Sequence, residues 1–167
     1  MPVYRLQVLL DIRTKAEDAA KEAYSVALQA LEVERQKETS MREALARRKA
    51  ERKAKVQAFL AEVTEKGGGI SGFQQMNRFE ERLKDEEAQA AEALEQQHLA
   101  VAEAQRLLEQ RQRELAEAAR ERRAIEKHKE TWQGEVRRQR EQREELVQEE
   151  IGNTLHLARV RAAGKKA

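Results

Sequence analysis

Three histidines, His98, His128 and His156, are the side chains best suited to proton transfer or metal ligation near neutral pH. They stand far apart, and none belongs to an HExxH run or to another metal-ligand spacing. The 31 acidic residues could in principle supply paired carboxylates, but they are interleaved with 33 basic ones, which is the pattern of a solvated helical face. The Gly67-Gly68-Gly69-Ile70-Ser71-Gly72 stretch invites comparison with a phosphate loop. It lacks both the Gly-Lys-Ser/Thr ending and the preceding strand. No cysteine is present, which excludes thiol chemistry and a disulfide framework. The residues therefore predict no catalytic group, no metal site and no cofactor, and the chain reads as a non-enzyme.

Nucleic-acid binding is weighed on the basic clusters. Arg47-Arg48-Lys49-Ala50-Glu51-Arg52-Lys53-Ala54-Lys55 is the densest, but it has no interleaved aromatics and no recognised motif. The formal net charge of +2 gives no global attraction to polyanions. Nucleic acid is not expected as a partner. The basic end (Arg159, Arg161, Lys165, Lys166) carries no acid after Glu150, which suits an acidic partner surface or simple solubility.

The elements that position these residues are helices. Charged residues make up 38% of the 167 positions and aromatics 4%, with a single proline, Pro2. Mean hydropathy is −0.91. Too few large apolar side chains exist for a compact core, and the composition is that of a long helix or coiled coil. Four of the seven glycines lie at Gly67, Gly68, Gly69 and Gly72. Glycine adopts positive φ without a Cβ clash and so terminates helices. The fold class expected is all-α: an elongated antiparallel two-helix coiled-coil hairpin, one domain over 1–167. Helix one is expected over about 3–66, a turn over 67–72, and a longer helix two over about 72–160, with a basic tail at 161–167. Ser71 and Gln74 fit a capping box at the start of helix two, and Gly152-Asn153 is a place where it could end or kink.

Apolar spacing supports the hairpin. Helix one carries Leu6, Leu9 and Leu10, then a small-residue face at Ala16, Ala20, Ala23, Ala27 and Ala30, and large residues again at Val56, Phe59, Leu60 and Val63. Helix two repeats a heptad pattern through Leu83, Leu94, Val101, Leu108, Leu115, Ile125, Trp132 and Val136. In an antiparallel pair, facing residue numbers have a constant sum. Leu31 with Leu108, Leu45 with Leu94 and Val63 with Met76 each add to 139, and Phe59 with Phe79 and Leu6 with Trp132 to 138. The bend implied by that register falls within the glycine stretch. Glutamate-to-base pairs four apart, such as Glu38–Arg42, Glu51–Lys55 and Glu62–Lys66, support the outer faces.

The same register leaves everything after about Arg137 without a facing helix, a projection of roughly 30–37 Å at 1.5 Å per residue. It carries Leu146, Val147, Ile151, Leu155, Leu157 and Val160. Such a segment is either a frayed end or an apolar strip awaiting another protein, and the second is preferred because an isolated helix is marginal in water. At the other end, Phe73, Met76, Phe79 and Leu83 form a row that closes the tip or offers a contact there.

The opening Tyr4-Arg5-Leu6-Gln7-Val8-Leu9-Leu10-Asp11-Ile12-Arg13, followed by alanine-rich helix, resembles the start of the FliJ/YscO family. Ile125-Glu126-Lys127-His128-Lys129-Glu130 and Arg140-Glu141-Gln142-Arg143-Glu144-Glu145 resemble its C-terminal pattern. Leu146-Val147-Gln148-Glu149-Glu150 departs from the flagellar branch, which often has Asp-Glu there. The resemblance implies a protein similar to the gamma subunit of rotary ATPases. It would be a central stalk in the hexameric export ATPase ring of a type III secretion system, injectisome or flagellar. It would contact the export gate and, in some members, export chaperones, and it could activate the ATPase. On this resemblance Leu6, Leu10, Leu146, Val147, Ile151 and Leu155 are expected at the ring, and Phe73, Met76, Phe79 and Leu83 toward the gate.

Other readings are a structural coiled-coil scaffold or adaptor and a nucleic-acid-associated hairpin. A stalk is expected to be monomeric, with its seam covered internally. The N-terminus lacks the pattern of a signal peptide, and no apolar run approaches the ~18 residues of a membrane span. The expected location is therefore the cytoplasm, peripheral at the cytoplasmic face of the secretion apparatus.

Overall fold

The computed structural model describes residues 3–164. Two helices, α1 (Gln7–Glu65) and α2 (Gly69–Gly164), pack antiparallel as a hairpin. The second is the longer, at 96 residues against 59. There is no strand among the described residues. Helix α1 begins at Gln7 rather than near Val3. The backbone first makes a turn in which the Gln7 N–H donates to the Tyr4 carbonyl at 3.1 Å. Helix α2 runs through Gly134 and Gly152 without a break and includes Arg161 in its last turn, so residues 161–164 are helix rather than tail. The remaining tail, 165–167, lies outside the described residues.

The turn closes α1 by a Schellman pattern. Gly67 sits at φ 64° and the Gly68 N–H donates to the Val63 carbonyl at 2.9 Å. Gly69, at φ 54°, then redirects the chain into α2, and the Gly72 N–H donates to the Gly68 carbonyl at 3.0 Å. Ser71 therefore lies inside the first turn of α2 rather than at its cap, and the expected capping box is not the device used. The absent side chains at Gly68 and Gly72 leave room for Val63, whose Cγ1 would stand 3.1 and 3.0 Å from a Cβ at those two positions. Two substitutions distinguish turn from helix. Gly67→Ala places a Cβ in the left-handed region and should lower unfolding free energy by about 1 kcal/mol. Gly134→Ala, with open space around it, should raise it by about 0.5–1 kcal/mol. Urea titration of both variants checks the pair.

Contacts divide the chain into two units. In Ala20–Leu115 the seam is built on the buried Ala27, Leu31, Leu45, Val63 and Leu94. The Phe59 and Phe79 rings meet at 5.8 Å between centroids. In this unit the buried and half-buried positions of each helix lie on a line with spacings of three and four, or of a whole heptad from Leu45 to Arg52, with one shift of phase. Successive spacings of four occur at Leu83 and Glu87 in α2, and a matching shift occurs between Arg52 and Val56 in α1. Such a stutter locally relaxes the left-handed supercoil. Because Arg52 faces Glu87 (2.7 Å) and Val56 stands opposite Leu83, both helices shift phase at the same level.

The second unit comprises the chain through Ala19 with that from Ala116 onward. Its buried side chains are Tyr4 and Glu17. The Tyr4 ring packs on Trp132 at 5.2 Å and on His128 at 5.8 Å, and its hydroxyl shares a 2.8 Å hydrogen bond with His128 Nδ1. Glu17 accepts from Arg122, which also bonds Glu126 at 2.6 Å.

The contacts between the helices agree with the predicted register. Glu17–Arg122 and Arg52–Glu87 both add to 139 and Phe59–Phe79 to 138. The two ion pairs also exclude the neighbouring registers. A slip of one heptad in one direction sets Arg52 opposite Leu94, and in the other sets Glu17 opposite Leu115. Each slip would leave a charge against an apolar seam residue, which costs more than the pair itself is worth. Polar residues in a coiled-coil seam act in this way as register marks.

Candidate partner-binding site

In the unit that contains Tyr4, α2 from Arg137 to Gly164 is exposed at every position. Within it the Thr154 hydroxyl donates to the Glu150 carbonyl at 2.7 Å. Arg161 in its last turn opposes the negative end of the helix dipole. Leu146, Val147, Ile151, Leu155, Leu157 and Val160 are all more than half exposed. They fall on two sides of the helix. Leu146, Leu157 and Val160 stand whole heptads after Trp132 or Val136, and so prolong the line of the hairpin seam. Val147, Ile151 and Leu155 form a separate stripe at spacings of four.

Leu6 and Leu10, the two α1-end residues predicted as contacts, differ in setting. Leu10 is half-buried. Leu6 is exposed and lines a shallow groove of about 660 Å³ with Val3, Tyr4, Arg5, His128 and Trp132. The expected Leu6–Trp132 proximity is thus present, but Tyr4 is the residue that stacks on the indole. Tyr4 is a buried residue that periodicity did not single out. It precedes the helix, where a heptad count has no purchase.

In the other unit, the four residues predicted for the tip separate. Phe79 packs on Phe59, and Met76 and Leu83 take half-buried seam positions. Only Phe73 is exposed, at 47%, beside Ile70 at 80%. Arg82 lies over the outer face of Phe79, 5.9 Å from its centroid, in an open groove of about 660 Å³ edged by Arg78, Glu81 and Asp85. Among the described residues no cluster of His, Asp or Glu could hold a metal ion.

The histidines are less isolated than their spacing suggests. His128 bonds Tyr4, and His98 Nδ1 lies 3.1 Å from Glu38 Oε1 on the facing helix. Other bridges between the helices are Arg13–Glu121 at 2.6 Å, Lys129 to Gln7 at 2.7 Å and Gln97 to Glu34 at 2.5 Å. The Glu38–Arg42, Glu51–Lys55 and Glu62–Lys66 pairs form along α1 as expected.

Several carboxylates are held below their ordinary value of 4.5. For Glu34 the main cause is a hydrogen bond from Lys37, then one from Gln97. For Glu62 it is Lys66, for Glu80 Lys84, and for Glu114 Arg111. Arg122 is shifted upward by its bond to Glu17. A carboxyl whose folded pKa lies below its unfolded one stabilises the fold above the unfolded value and loses that contribution as pH falls through the folded value. The melting temperature should therefore hold steady from neutrality to about pH 5 and fall below about pH 4.5. Glu62 is exposed and Glu34, Glu80 and Glu114 are half-buried at the surface, so 0.5 M salt should shrink the drop. Thermal melts at two ionic strengths read both effects.

The family profile of the YscO-like proteins matches residues 1–162. The chain belongs to the YscO-like family. It is accordingly a type III secretion-related protein with a coiled-coil fold. Among solved structures, one described as a candidate YscO homolog, CT670 from Chlamydia trachomatis, aligns over 96% of this chain and 99% of that one. The TM-score is 0.78 at 24% identity, so the likeness is one of fold. No curated protein matches significantly. Among the described residues of this YscO-like chain, no helix is long and apolar enough to cross a membrane.

Proposed function

We propose that the chain is a non-enzymatic central-stalk component of a type III secretion export apparatus. In this reading it binds the hexameric export ATPase ring and couples it to the export gate at the cytoplasmic face. The observation that carries the reading is the exposed helix from Arg137 to Gly164, with Leu146, Val147, Ile151 and Leu155 uncovered on a chain that belongs to the YscO-like family. A hairpin whose seam is covered by its own two helices needs no further copy to be stable. It can therefore present this helix, together with Leu6 and Leu10, to a different protein. Phe73 at the turn is the accessible candidate for a contact with the gate, and Met76, Phe79 and Leu83 support it from the seam.

Two mixtures test the reading. Purified chain added to the purified secretion ATPase should co-elute with it and raise its rate of ATP hydrolysis several-fold. A variant with Leu146, Val147, Ile151 and Leu155 all changed to glutamate should do neither, while keeping its melting temperature because these side chains make no seam contact. Co-elution of that variant to the same extent as the parent chain would remove the reading.

A further inference from the structure

Between Leu45 and Val56, helix α1 has no large apolar side chain: residues 46–55 read Ala-Arg-Arg-Lys-Ala-Glu-Arg-Lys-Ala-Lys. Helix α2 has the same gap between Leu83 and Leu94, where residues 84–93 read Lys-Asp-Glu-Glu-Ala-Gln-Ala-Ala-Glu-Ala. In the register marked by Arg52–Glu87, residue 46 faces residue 93 and residue 55 faces residue 84. The two gaps therefore coincide, over about 15 Å at 1.5 Å per residue. No other stretch of this length in the Ala20–Leu115 unit lacks large apolar side chains on both helices.

Charge holds the helices together across the gap. The α1 side carries Arg47, Arg48, Lys49, Arg52, Lys53 and Lys55 against one acid, Glu51. The α2 side carries Asp85, Glu86, Glu87 and Glu92 against one base, Lys84. Arg52 bonds Glu87 at 2.7 Å and lies 3.6 Å from Glu80, and Arg48 donates to the Glu86 carbonyl at 3.4 Å. Of residues 46–55 only Arg52 is even half-buried, and of 84–93 only Glu87, Ala90 and Ala91. The stutter falls at the edge of the gap nearer the turn, so the left-handed supercoil is relaxed there as well.

These two kinds of contact resist bending differently. Interlocked apolar side chains lose their contacts after a small displacement. Long charged side chains follow a displacement or change partner, and Arg52 already has two carboxylates within reach. On the turn side of the gap Val63 is buried and the Phe59 and Phe79 rings meet; on the other side Leu45 and Leu94 are buried. Two firmly packed blocks are thus joined by a polar segment.

We propose that residues 46–55 and 84–93 form a salt-sensitive joint, about which the turn end of the hairpin tilts while both helices stay intact. The Arg52–Glu87 pair is its latch. This goes beyond the stalk reading and does not rest on it.

Spin labels on the full-length chain test the joint, because the chain lacks cysteine and takes labels only where they are placed. Glu43→Cys with Ala61→Cys spans the joint along α1. Ser25→Cys with Glu43→Cys spans an equal length, about 27 Å, without crossing it. All three positions are exposed. Pulsed dipolar spectroscopy should give a distance distribution about twice as broad for the first pair as for the second, and 0.5 M salt should broaden only the first. Arg52→Ala removes the latch and adds no packing, so it should broaden the first distribution at low salt and abolish its response to salt. Arg52→Leu with Glu87→Leu completes the apolar seam and should narrow the first distribution to the width of the second. Equal widths for the two spans, a first span indifferent to salt, or a salt response that survives Arg52→Ala overturns the proposal. So does a leucine pair that leaves the first span as broad as before. No ATPase enters these measurements, so their failure leaves the stalk reading untouched.

Discussion

Replacing Leu31 with alanine should lower the free energy of unfolding by about 2–4 kcal/mol. Leu31 is the largest fully buried side chain, at 2% exposure, in a seam one side chain deep. Ala27, buried one turn before it on α1, contributes little volume that could collapse into the space left. The control is Leu28, three residues away and 47% exposed. Leu28→Ala should change stability by no more than about 0.5 kcal/mol. Urea denaturation of both variants separates seam from surface. Equal effects would mean that the helices do not meet along this line.

The second large effect is expected at Tyr4. Tyr4→Ala should cost about 2–3 kcal/mol, felt locally as opening of the start of α1 from α2. The side chain is 6% exposed and stacks on Trp132 and His128. It comes just before the helix, where few other contacts hold the backbone. Hydrogen exchange should therefore accelerate over residues 7–13 and 125–132, with little change near the turn. Tyr4→Phe keeps the stacking and loses the bond to His128, so it should cost only about 1 kcal/mol. If Tyr4→Ala speeds exchange uniformly, or not at all, the anchoring role is wrong.

Most of the fold was legible because coiled coils obey a one-dimensional rule. A glycine run marks the reversal, heptad spacing marks the inner faces, and the two together set which residues meet. Phe59–Phe79 and Arg52–Glu87 stand at the levels which that arithmetic predicts. What escaped it were residues whose role runs against their type. Glu17 and Arg52 read as surface charges in the sequence, but each occupies a seam position against a base or acid of the facing helix. Ser71 carries a cap signature, yet consecutive glycines allowed α2 to begin before it. The apolar row Phe73, Met76, Phe79 and Leu83 looks like one patch on paper. Packing assigns three of its members to the seam and leaves Phe73 outside.

The sequence by itself determined the class of fold, the position of the bend, the register and the existence of an uncovered apolar stretch after about Arg137. All of these depend on periodic burial, which is written in residue spacing. Tertiary structure decided which charges are inside, how the start of the chain is fastened through Tyr4, and on which sides of α2 the uncovered apolar residues lie. Those outcomes depend on the distance and orientation of side chains from the other helix, and a linear pattern does not contain them.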